Sequence, residues 1–114
     1  MESTVYALKR TSHESLAELQ DKLLKEFGDM GSISYNHIEE NENVEVLLLV
    51  CEKYYFRNGS MAALTLQCIN DHKEQKAILV GTGGGSGIAN ISWGANANFA
   101  NKAKEILNKY GFSE

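Results

Sequence analysis

Two long apolar runs, VEVLLLVCEKYYF (44–56) and MAALTLQCIN (61–70), flank the tetrapeptide Arg57-Asn58-Gly59-Ser60. Asn-Gly between apolar runs is a strong hairpin signal, because both central residues of a type I′ turn need positive φ. If Arg57 opposes Ser60, Cys51 lies across from Leu66 and Cys68 across from Leu49. Leu47, Leu49 and Cys51 then share one face with Ala62, Leu64, Leu66 and Cys68. The opposite face carries Val44, Val46, Leu48, Val50, Tyr54 and Phe56, set against Met61, Ala63, Thr65, Gln67 and Ile69. An antiparallel sheet with one wet face should be polar there, and this hairpin is largely apolar on both.

Either the sheet curls and encloses its second face, or a second subunit covers it. A twofold dimer is the commonest way to hide such a patch. A homodimer is therefore expected, with Val46, Leu48, Val50, Tyr54, Phe56, Met61 and Ile69 at its interface.

The rest of the chain supplies the cover for the first face. STVYALKR (3–10) reads as a strand. TSHE (11–14) has the form of a capping box, Thr11 bonding the amide three residues on and Glu14 reaching back. Leu16, Leu19, Leu23 and Phe27 follow at helical spacing, and Gly28 is placed to end a helix over about 12–27. SISYNHIEE (32–40) puts Ile33, Tyr35 and His37 on one face of a strand, ENEN (40–43) is a polar turn, and KAILVGT (76–82) is a further strand. IANISW (88–93) reads as a short strand or an irregular segment. A last helix over about 97–110 carries Phe99, Ala103, Ile106, Leu107 and Tyr110 as its apolar stripe and stops at Gly111. The 114 residues thus predict a single domain over 1–114. Its class is α+β: an antiparallel meander of five or six strands with two helices packed on one face. The β-α-β4-α order resembles TBP-like and helix-grip domains, a likeness of element order that carries no function.

Charge narrows the partners. Fifteen acids against eleven bases give a net charge of −4, and the bases form no stripe, so neither nucleic acid nor an anionic membrane surface is expected. The longest apolar run, VLLLVC (46–51), has strand length and falls far short of the roughly 18 residues of a membrane helix. MESTVYALKR lacks a basic-then-apolar leader. Two cysteines make no disulfide framework; both fall on the first hairpin face as diagonal neighbours, about 7–8 Å apart and too far to bridge without strain. Reduced thiols and a cytoplasmic location follow.

The stretch GTGGGSGIANISWG (81–94) poses a separate question. It fits neither the phosphate-loop pattern, which needs a Lys after the glycines, nor G-x-G-x-x-G at the start of a helix. Two readings remain. The glycines end a strand, form a bulge or admit a helix closely. Alternatively Gly83, Gly84, Gly85, Ser86 and Gly87 form an anion nest, with Asn90 as a further donor and Trp93 as a wall for a planar small-molecule ligand. His13, His37 and His72 have no metal-ligand spacing, Glu39, Glu40 and Glu42 crowd one turn without a calcium-loop pattern, and no serine sits in an elbow motif. No cofactor, metal or catalytic constellation is expected. GGGSGIANISWG followed by NFANKAKEILNKYGF resembles a small uncharacterised bacterial domain family, in which a Gly-Gly-Ser patch and a Trp-Gly pair precede the last helix. The likeness covers the final third and implies no activity.

Overall fold

The structure, a computed structural model, describes residues 2–56, 59–85 and 95–114. Its elements run β1 (Glu2–Arg10), α1 (Leu16–Met30), β2 (Ser32–Glu40), β3 (Glu45–Tyr55), β4 (Ser60–Asn70), β5 (Gln75–Gly85) and α2 (Ala95–Lys109). This is the expected β-α-β4-α order. The five strands form one sheet in the order β1-β5-β4-β3-β2, every neighbouring pair antiparallel. The meander of β2 to β5 is closed on its far side by β1, so α1 carries the chain from one sheet edge to the other.

Both helices lie on one face. α1 packs on β2 and β3, and α2 on β4, β5 and β1. Between them and the sheet sit Leu16, Leu19, Leu23 and Phe27 of α1, Phe99, Ala103 and Leu107 of α2, and Leu47, Leu49, Leu64, Leu66 and Leu79 of the strands, all without solvent exposure. Each of the leucines and phenylalanines contributes about 1.5–3 kcal/mol on burial.

Three local expectations are corrected. The register of β3 with β4 is displaced by two residues: Tyr55, not Arg57, opposes Ser60, and Cys51 faces Leu64 while Cys68 faces Leu47. The connection therefore spans four residues, 56–59, with Gly59 at φ 66°; Arg57 and Asn58 lie outside the described residues. Because the displacement is even, every side chain keeps its face, but the cysteines stand four positions apart along β4, about 13 Å, and are not diagonal neighbours. Secondly, α1 begins a turn later than expected. Its N-cap is Ser15, whose hydroxyl accepts from the Glu18 amide at 3.2 Å, and Gly28 lies within the helix. Thirdly, Ile33 and Tyr35 do not share a face. Ser34 is the extra residue of a β-bulge, so Ile33 pairs with Cys51 and Tyr35 with Val50, turning Ile33 to the core and Tyr35 away from it.

The end of α2 follows expectation. Phe112 N–H donates to Leu107 C=O and Gly111 N–H to Asn108 C=O, each at 3.0 Å, with Gly111 at φ 97°. This is a Schellman closure, sealed by the buried pair Leu107 and Phe112.

A row of polar side chains runs along one end of the helix-covered face, where Glu45, Asn70, Gln75 and Arg10 are successive partners across four strands. Glu45 accepts from Asn70 Nδ2 at 2.7 Å and from the Leu16 amide at 3.4 Å. Arg10 donates from Nε to Gln75 Oε1 and from Nη1 to the Tyr110 carbonyl, both at 2.7 Å, and from Nη2 to Glu14 at 3.0 Å. Its guanidinium also lies 4.6 Å from the centre of the Phe112 ring. One side chain thus ties the end of β1 to the entry of α1 and the exit of α2, where a cation complements the helix dipole.

Gly31, which follows α1, has extended backbone, and its requirement is steric. A Cβ there would sit 2.5 Å from the Glu52 carbonyl oxygen and 3.2 Å from both Cys51 Sγ and Phe99 Cζ. Gly31→Ala should lower the unfolding free energy by about 2–3 kcal/mol, read as a reduced urea midpoint, whereas Gly28→Ala, with open space around it, should be neutral or stabilising. Glu14 gives a pH signature. Burial pushes its carboxyl up, but hydrogen bonds from Lys22 and Arg10 outweigh that and hold it below the ordinary 4.5. Its contribution is complete above that value and disappears as pH falls through the lowered one. Glu14→Gln should cost about 1 kcal/mol at pH 7 and flatten the loss of stability below pH 4.5.

Candidate interaction surface

The face of the sheet away from the helices carries apolar side chains on every strand, interspersed with polar ones, and no described residue lies over it. The strand pairings set its side chains in rows. Tyr35, Val50, Thr65, Val80 and Val5 form one, running from the β2 edge to the β1 edge; His37, Leu48, Gln67, Ile78 and Ala7 form the next; Glu39, Val46, Ile69, Lys76 and Lys9 form a third. On the other side of the first row, Glu52, Ala63, Thr82 and Ser3 are successive partners. Val5 is 59% exposed, Tyr35 50%, and Leu48 and Ile78 37% each. At the β3–β4 connection Tyr54 pairs with Met61, and the Tyr54 ring meets Phe56 edge-on at 4.9 Å, Phe56 being 89% exposed.

Six of the residues expected at an interface, Val46, Leu48, Val50, Tyr54, Met61 and Ile69, are strand positions on this bare face, and Phe56 flanks it. Sequence reasoning centred on the hairpin missed the outer strands. Val5, Ala7, Ile78 and Val80 extend the patch, and the alternation in TVYALK and KAILVG was the available signal. Tyr35 joins them because of the bulge, which the sequence does not announce.

The glycine-rich segment is placed only in part. Gly81 to Gly85 continue β5, pairing with Leu64 to Ser60 of β4. Gly83, Gly84 and Gly85 are thus strand residues and not the start of a loop. Gly81 and Gly83 are buried on the helix-covered side, after Ala77 and Leu79, where a missing side chain lets a helix approach closely. Ser86, Gly87, Asn90 and Trp93 lie outside the described residues, as does the segment IANISW.

An open cleft of about 600 Å3 lies where α1 ends, lined by Asp29, Gly31, Ser34, Glu52, Lys53 and Tyr54 among others. Glu52 accepts a hydrogen bond from Ser34 there. Acid, base and hydroxyl are all present, the Ser34–Glu52 pair being exposed, but no histidine or cysteine lines the cleft among the described residues. Nor do those residues hold a cluster of His, Cys, Asp or Glu able to bind a metal. Cys51 and Cys68 are fully buried free thiols. Burial, with the Glu52 carboxylate adding to it, pushes Cys51 up to about 11, and burial pushes Cys68 up to about 12. Neither is a thiolate at neutral pH.

The geometry defines a two-layer α+β domain with one sheet face packed by helices and the other uncovered by any described residue. The chain belongs to the Family of unknown function (DUF6054), whose model matches residues 1–111, so the kinship spans nearly the whole chain and not its final third alone. No curated protein matches it. No helix among the described residues is long and apolar enough to cross a membrane.

The thiols provide a check on the packing. An aromatic disulfide reagent at pH 8 should leave both cysteines of the folded protein unmodified over minutes and titrate two per chain after denaturation.

Proposed function

We propose that this domain is a self-associating interaction module, a cytoplasmic homodimer in which the bare sheet face of one copy lies against that of another. The observation that carries this reading is the pair of apolar clusters, Tyr35, Leu48 and Val50 on one side of β4 and Val5, Ile78 and Val80 on the other, that flank Thr65 and Gln67. Five strands about 4.8 Å apart and four rows of side chains about 6.8 Å apart give a footprint of roughly 600–700 Å2. That is close to the ~800 Å2 each partner buries in a standard interface. Sheets packed face to face bury alternate residues of each strand, the set that no described residue covers here. Two reduced, buried cysteines are in keeping with a reducing compartment.

Light scattering coupled to size exclusion should return twice the chain mass at micromolar concentration. Leu48→Lys combined with Ile78→Lys should return a monomer whose circular dichroism is unchanged, since both side chains are solvent-facing in the single chain. A wild-type monomer across the micromolar range would remove the proposal.

A further inference from the structure

Granting that the bare face meets a second copy, we infer that the twofold axis of the dimer runs close to β4, along the strand and not across it. Rotation about β4 exchanges the two sheet edges while keeping each row of side chains over itself. Leu48 then faces the second copy's Ile78, Val50 its Val80, and Tyr35 its Val5. The two most exposed apolar side chains of the outer strands cover each other.

Charge favours this axis. The row at one end carries Glu39 at the β2 edge and Lys76 and Lys9 at the β1 edge, with Val46 and Ile69 between them. Exchanging the edges sets Glu39 of each copy against Lys9 of the other, with Lys76 beside it, giving two symmetry-related sets of opposite charges at the rim. An axis across the strands would instead lay this row on the row of Glu52, Ala63, Thr82 and Ser3. Lys9 and Lys76 would meet only hydroxyls and Glu52 would meet Val46, so no charge would find its opposite.

The strand on the axis also fits. A residue on a twofold meets its own copy, so a charge there repels itself. The bare-face positions of β4 are Met61, Ala63, Thr65, Gln67 and Ile69, none charged. The two polar ones, a hydroxyl and a carboxamide, each hold both a donor and an acceptor and can pair with themselves. Sheets packed in this way keep their strands within about 30° of parallel, which needs the axis only about 15° from β4.

Cysteine cross-linking tests the axis. Val5 and Tyr35 lie on opposite edges of one sheet, four strands apart, about 19 Å and beyond reach of a disulfide within one chain. Under mild oxidation, the double variant Val5→Cys/Tyr35→Cys should give a covalent dimer, while Val5→Cys alone and Tyr35→Cys alone should give none. Covalent dimer from either single variant, or none from the double variant while the protein retains dimer mass, would overturn the axis and leave the dimer standing. Monomer mass for the wild-type protein would instead remove the reading beneath it. As a second arm, Glu39→Lys should weaken self-association roughly fivefold to tenfold, and Glu39→Lys with Lys9→Glu should restore it. No recovery in the double variant would count against the pairing.

Discussion

The pairing of β3 with β4 governs the rest of this domain. The two strands run side by side for eleven residues each, and a pleated backbone sends alternate side chains to opposite faces. Once Leu49 opposes Leu66 and Cys51 opposes Leu64, the remaining strands must present apolar residues on the same side, and both helices must lie there. The same alternation commits Val46, Leu48, Val50, Ile69 and Met61 to the other side. One chain has two helices to place, and the polar row ending in Arg10 holds both on the first face through the Tyr110 carbonyl and Glu14.

The two faces of the sheet therefore differ in chemistry. The helix-covered face is finished at one end by groups that satisfy one another: Glu45 with Asn70 and the Leu16 amide, Gln75 with Arg10 and the Glu14 carbonyl. On the other face the polar groups pair locally, His37 with Glu39 and Lys76 with Glu74. Glu39 stands at its β2 edge, Lys76 and Lys9 toward its β1 edge, and Glu52 in the row at its other end.

Much of the architecture was legible in the sequence, and the failures have identifiable causes. Alternation placed the strands, and the leucines of 16–23 and the stripe ending at Tyr110 placed the helices. Asn58-Gly59 located a reversal but not its length, so the register came out two residues off. The faces survived because two is the period of a strand. The helix start was misjudged because Thr11–Glu14 and Ser15–Glu18 both have the form of a capping box, and only the second caps a helix. The glycines from 83 to 85 read as lying beyond the strand because glycine is a poor strand former. They extend as strand because β4, reaching back to Ser60, offers them a continuous partner. The bulge at Ser34 leaves no trace in composition.

That bulge bears on how far assembly can go. A flat outer strand with unpaired amides invites another sheet to add on sideways, and repetition of that step gives a fibre. In β2 the extra residue interrupts the ladder, bends the strand, and leaves Ser34 bonded to Glu52. Edge-to-edge growth would need both borders of the sheet to be straight, and one of them is not. The interrupted ladder of β2 thus works against sideways addition at that border.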